Sequence, residues 1–129
     1  MLDRAANANL ISGLGSRICP GGVICLQYAD DTILFSEPNP EKASNHKMVL
    51  HCFEKVSGMK INYRKSELVP IGLSQEEAKV FADIFGCLIG NFPIKYLGIP
   101  LHYDKLRRED IQPSIDKILK RIAGWRGKL

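Results

Sequence analysis

Residues 24–38, ICLQYADDTILFSEP, constrain the fold more than any other part of the chain. Residues 23–27 and 32–36 are dominated by Val, Ile, Leu, Thr and Phe, which suit strands. The four residues between these arms close a hairpin, and Pro38 ends the second arm. Asp30 and Asp31 stand side by side at its tip, where two ionised carboxylates without a partner repel each other. A turn anchored by apolar arms aims such a pair outward from a rigid sheet. Magnesium, a hard cation, takes carboxylate oxygens and is usually held by one or two protein carboxylates plus substrate phosphates. Its charge would relieve the repulsion. The plainer reading is an acidic surface turn, since Asp is common in turns. An aromatic just before the pair, strand-like residues on both sides and a capped helix afterwards favour the functional one.

The remaining pattern supports a mixed fold. Residues 2–9 read as a short helix without a good cap, broken by Gly13 and Gly15, and Pro20-Gly21-Gly22 is a turn. Asn39-Pro40-Glu41 starts a helix with a capping side chain, proline in the first turn and an acid at the positive dipole end. Met48, Val49, Cys52, Phe53 and Val56 form one apolar stripe on it, and Gly58 is its C-cap. Residues 59–62 read as a short strand, 63–66 as a turn and 67–71 as another strand. Ser74 and Glu77 make a capping box. Ala78, Phe81, Ala82 and Phe85 line the buried face of that helix, and Gly86 stops it. Residues 92–104 are extended and broken by Pro93, Gly98 and Pro100, a hairpin or edge segment. From Asp110 the pattern is helical, with Pro113 near the first turn and a stripe of Ile111, Ile115, Ile118, Leu119 and Ile122. Hairpins with helices on one face indicate an α+β fold.

The composition, 45% hydrophobic and 25% charged over 129 residues, is that of a globular chain of about one domain. No stretch approaches ~18 apolar residues and no signal-peptide run follows Met1, so a soluble intracellular protein is expected. Cys19, Cys25, Cys52 and Cys87 make no CxxC pair and read as small buried or half-buried thiols. His46, His51 and His102 are scattered, and the five-residue step from His46 to His51 misses the helical ligand spacing. Residues 1–90 carry 9 Lys and Arg against 10 Asp and Glu, whereas residues 91–129 carry 9 against 4. A basic end beside an acidic, metal-ready turn suits a protein that handles polyanions.

LQYADDTILF closely resembles the YxDD motif of reverse transcriptases, in the version carried by non-LTR (LINE-type) retrotransposons, especially those of plants. The likeness continues in order along the chain. FEKVSGMKINYRKSELVPIG is similar to the next family block, FPIKYLGIPL to the primer-grip segment, and RREDIQPSIDKILKRIAGWRGKL to the start of the thumb. MLDRAANANLISGL resembles the helix after the template-contacting block. The resemblance implies a partial polymerase palm over residues 1–103, an antiparallel hairpin sheet with helices on one face, followed by the start of a helical thumb over residues 104–129. It implies Asp30 as a ligand of Mg2+ (Mn2+ being an alternative ion), with Asp31 beside it completing the acidic turn. Tyr28 and Ala29 would approach the primer end. Lys65 would sit near the phosphates of an incoming dNTP, and Tyr96, Leu97 and Gly98 would support the primer 3′ end.

Plainer readings stand beside these roles: a solvated lysine for Lys65, core packing for Tyr96 and Trp125, and a solvated face for Lys117, Lys120, Arg121, Arg126 and Lys128, which could otherwise track a phosphate backbone. The implied partners are an RNA template, a DNA primer and dNTP, without a membrane, in the nucleus or cytoplasm. The family's third catalytic carboxylate, its fingers and its endonuclease are expected on a longer polypeptide, so the expectation is a fragment unable to polymerise alone. Its uncovered hairpin edge would leave it marginally folded or prone to associate. The alternatives are a non-catalytic nucleic-acid-binding module and a structural relic.

Overall fold

The structure, a computed structural model, describes residues 1–126. It is mixed α+β, and the chain divides into two compact units, Met1–Ile89 and Gly90–Leu129. The first holds α1 (Leu2–Asn7), β1 (Cys25–Tyr28), β2 (Asp31–Leu34), α2 (Pro40–Ser57), β3 (Glu67–Leu68), α3 (Gln75–Phe85) and β4 (Leu88–Ile89). The second holds β5 (Ile94–Tyr96), β6 (Ile99–Leu101) and α4 (Arg108–Arg126). The β5–β6 hairpin thus groups with α4.

The strands do not form the one hairpin sheet expected of a palm. Among the described residues they make three separate pairs: β1 with β2 and β5 with β6 antiparallel, β3 with β4 parallel. A parallel pair needs a crossover, and α3 supplies it. The strand expected at residues 59–62 is absent. The Ile61 N–H donates to Glu54 Oε1 (2.7 Å) and the Met59 N–H to Ser57 Oγ (3.2 Å), so the chain leaving α2 is tied back to that helix instead of entering a ladder. Of residues 67–71 only Glu67 and Leu68 pair, and Pro70 has no N–H to extend the ladder.

Helix ends follow local chemistry closely. The Asn39 side chain accepts from the N–H groups of Glu41 (2.9 Å) and Lys42 (3.2 Å), and Pro40 opens α2. Ser74 and Glu77 close the capping box at 3.2 and 2.9 Å. The Ser74 backbone N–H, then its hydroxyl, hold the Glu77 carboxyl below its ordinary pKa. Gly58 and Gly86 end α2 and α3 in the left-handed region, at φ 72° in both cases. Lys47, from α2, donates to the Phe85 carbonyl at 2.6 Å and so satisfies an open carbonyl of the last turn of α3.

Helices α2 and α3 pack together, and Ala78, Phe81 and Ala82 are buried as expected, with Phe85 half-buried. The face of α2 that is buried is not the expected stripe. Ala43 and His46 are buried; Val49 is half-buried, while Met48, Cys52, Phe53 and Val56 are exposed, Val56 to 81%. Length accounts for part of this: the 18 residues of α2 span about 27 Å and the 11 of α3 about 16 Å. The same mismatch governs the second unit. A three-residue strand covers about 10 Å, against about 28 Å for the 19-residue α4. Helix α4 packs on β6, and the Ser114 hydroxyl donates to the Gly98 carbonyl at 3.3 Å. Ile111, Ile115, Ile118, Leu119 and Ile122 all remain exposed, and Trp125, expected to pack, is 73% exposed. All four cysteines are free; Cys19 and Cys52 are exposed rather than buried, and Cys25 and Cys87 are partly covered.

His46 is 1% exposed and neither ring nitrogen has a hydrogen-bond partner among the described residues. Burial holds its pKa below the ordinary 6.5, because desolvation penalises the imidazolium. The unfolded chain therefore takes up a proton that the folded chain refuses. Stability is full above about pH 6.5 and falls as pH drops below it, until the folded imidazole itself titrates. The urea midpoint is expected to fall between pH 7.5 and 5.5, and to fall less in His46→Leu. An equal fall in both proteins contradicts this assignment.

Candidate functional site

The acidic hairpin is tighter than its sequence suggests. Strand pairing runs Cys25↔Leu34, Leu26↔Ile33, Gln27↔Thr32 and Tyr28↔Asp31, so only Ala29 and Asp30 form the loop. The expected four-residue turn is a two-residue one, with Tyr28 and Asp31 as the last rungs of the ladder. Ala29 sits at φ 51°, a region L-residues seldom adopt. A positive φ at the first central position belongs to the primed turns, whose twist matches that of paired strands. The usual Gly signals for such a turn are absent here, which is why spacing alone missed it. Ala29→Gly is expected to raise the stability of the first unit by up to about 1 kcal/mol, strain relief being partly offset by a more flexible unfolded chain. An unchanged or lower urea midpoint contradicts strain at the tip.

The base of the hairpin is clamped. The Phe35 N–H extends the ladder to the Ile24 carbonyl (2.8 Å), and Leu14 and Val23 exchange two backbone hydrogen bonds, at 3.0 and 2.8 Å. A Cβ on Gly13 would run into the Val23 carbonyl, so glycine permits this close approach. After β2, Glu37 accepts from Ser12 Oγ (2.8 Å) and lies 3.6 Å from Lys42 Nζ, which also donates to Ser12 Oγ (3.0 Å). Asn45 Nδ2 donates to the Leu10 carbonyl at 2.8 Å. The ends of the hairpin are thereby fixed to α2 and to the loop after α1, while its tip projects free.

Tyr28 (65% exposed), Ala29, Asp30 and Asp31 are all exposed. Neither carboxylate has a hydrogen-bond or ion-pair partner among the described residues, so both are open to a ligand. Their oxygens are hard donors, the type magnesium and manganese take. The pair fits a divalent ion in donor chemistry and supplies two of the carboxylates such a site uses. Among the described residues no third His, Cys, Asp or Glu joins them.

Lys65 is exposed in the turn after α2, where its backbone N–H donates to the main-chain (3.1 Å) and side-chain (3.2 Å) oxygens of Asn62. An open cleft lies beside that turn, lined by Lys60, Ile61, Asn62, Tyr63, Arg64 and Gly86. The cations on it are Lys60 and Arg64, which the sequence reading passed over although three cations fall within residues 60–65. Lys47 Nζ stands 3.2 Å from the Tyr63 ring centroid, a cation–π contact. Burial, then the Glu54 carboxylate, raise the Tyr63 pKa.

In the second unit, Tyr96 is half-buried and ends β5, paired with Ile99. Leu97 (φ 52°) and Gly98 (φ 81°) form a two-residue turn with both φ positive, the signature of a type I′ hairpin. Glycine accommodates this; leucine is strained by it. Lys117, Lys120 and Arg121 are exposed on α4, and Lys128 lies outside the described residues. The sequence reading also missed a ring cluster of Phe92, His102 and Tyr103, whose only local signal is the adjacent pair at 102 and 103.

Among the described residues no helix is long and apolar enough to cross a membrane. No protein-family model matches the chain, and no solved structure matches it.

Proposed function

We propose that the chain is a palm-and-thumb segment of an RNA-directed DNA polymerase of the non-LTR retrotransposon kind, with residues 28–31 as its metal-binding turn. One observation supports this reading above the others. The two adjacent carboxylates are exposed and unpartnered among the described residues, Asp30 in the two-residue turn and Asp31 on the rung beside it, in a hairpin whose base is clamped on both sides. Ala29 holds a strained φ at the tip, and strained residues cluster where structure serves a ligand. In this reading Asp30 and Asp31 hold a divalent ion through hard oxygens. The ion would neutralise nucleotide phosphates and favour ionisation of a primer hydroxyl. Tyr28 and Ala29 flank the pair toward the primer end. Lys65, with Lys60 and Arg64 nearby in sequence, meets phosphate charge. Tyr96, Leu97 and Gly98 take the primer-supporting role on the resemblance of their residues alone.

With two carboxylates of the family's three, these 129 residues alone are proposed not to polymerise. The test is a transplant. Residues 24–38 replace the corresponding hairpin of an active non-LTR reverse transcriptase, and primer extension is measured with magnesium. Retained extension supports the assignment. A transplant that folds, binds template–primer and incorporates nothing contradicts it.

A further inference from the structure

The second unit carries a set of rings that the polymerase reading leaves unused. His102 and Tyr103 stack with centroids 4.7 Å apart and planes at 25°. Phe92 braces both, at 5.2 Å from His102 and 5.1 Å, edge-on, from Tyr103. The cluster is held in place by more than packing. The Asp104 N–H donates to His102 Nδ1 at 3.0 Å, which fixes the imidazole orientation and puts its proton, when neutral, on Nε2. Phe92 and His102 are half-buried; Tyr103 is 61% exposed. An apolar ring kept rigid at the surface, with its support below, is a preorganised stacking face.

The neighbouring charge narrows what would stack there. Lys105, Arg107 and Arg108 are exposed and follow within five residues, so their backbones lie no further than about 7–18 Å from Tyr103. Asp104 and Glu109 are exposed too, while Asp110 Oδ2 is occupied by the Arg107 N–H at 2.9 Å. Proteins that hold single strands combine aromatic faces for bases with cations for phosphates. Residues 91–129 supply the background, with 9 basic against 4 acidic residues. Lysines and arginines without rings would track a duplex backbone; a supported tyrosine adds a hold on an unpaired base.

We propose that Tyr103, backed by His102 and Phe92, is a nucleobase-stacking site for an unpaired stretch of nucleic acid, with Lys105, Arg107 and Arg108 meeting the adjoining phosphates. The site is assigned from the second unit alone and does not rest on the metal-binding hairpin.

The test is fluorescence anisotropy of a labelled 12-nucleotide oligo(dT) titrated with the full chain at low salt. Tyr103→Ala is expected to weaken binding about tenfold, in line with the usual worth of one base–aromatic stack. Tyr103→Phe keeps wild-type affinity. Tyr103→Leu, apolar but without a π-face, behaves like Tyr103→Ala. The slope of log affinity against log salt stays unchanged in Tyr103→Ala and becomes shallower in the Lys105→Gln, Arg107→Gln double variant. Circular dichroism of each variant reports folding, and the Phe and Leu variants keep the comparison decisive if the alanine variant unfolds. Equal affinity of the Leu and Phe variants overturns the inference. So does equally tight binding of a polyglutamate peptide, which would point to a protein partner, or failure of the wild-type chain to bind the oligonucleotide. The titration contains no divalent ion, so its outcome is separable from that of metal binding at the hairpin.

Discussion

Phe81→Ala is expected to cost about 3–5 kcal/mol and to bring the first unit to the edge of unfolding in the absence of denaturant. The reason is the thinness of the core. The buried apolar residues among those described are Ala5, Ile11, Ala43, Ala78, Phe81 and Ala82, four of them alanine. Phe81 is the largest of the six, and it lies on the buried face of α3, the helix that packs with α2. Alanine neighbours have no rotamers with which to refill the space, so the cavity term adds to the lost transfer energy. A whole domain has about 5–15 kcal/mol of net stability, and one with so small a core belongs at the low end. Circular dichroism at 222 nm with a urea titration measures it. A loss under about 1 kcal/mol would mean that α2 and α3 are held by something other than this side chain.

Asp30→Asn or Asp31→Asn in the transplanted hairpin is expected to lower primer extension by at least about 100-fold. Outer-shell partners of a metal ligand already cost about 10–100-fold when removed, and a ligand should cost no less. Asparagine preserves size and hydrogen bonding but removes the charge that a divalent ion needs. Because both side chains are exposed and unpaired among the described residues, the substitution breaks no hydrogen bond there and should leave folding unchanged. Loss of extension together with loss of helical signal would make the effect structural and count against a ligand role.

How far the sequence could be read depended on the range of the interaction. The caps at Asn39, Ser74, Gly58 and Gly86 each involve neighbours a few residues apart, and all four form as expected. The β3–β4 pair joins residues on either side of α3, and nothing local in residues 59–71 distinguishes it from the strand, turn and strand expected there. The stripes on α2 and α4 are real periodicities, but burial depends on how long the covering element is, and α3 and β6 are too short. His46 has no local mark of burial; it becomes evident only once α2 is placed. At the hairpin, the apolar arms and the acid pair were legible, whereas the two-residue tip was not, because Ala29 replaces the glycine that normally announces it. The resemblance to a palm concerns motifs in order along the chain. The three separate strand pairs give a coarser agreement, an α+β chain carrying a YADD hairpin.

Paramagnetic broadening by Mn2+ in the 15N-labelled chain most directly tests whether the acid pair at the tip is a divalent-ion site. Selective loss of the Ala29, Asp30 and Asp31 amide signals at substoichiometric Mn2+, reversed by excess Mg2+ and absent in the Asp30→Asn, Asp31→Asn double variant, is the result predicted. Broadening spread evenly over the acidic residues of the surface, or unchanged in the double variant, would contradict it.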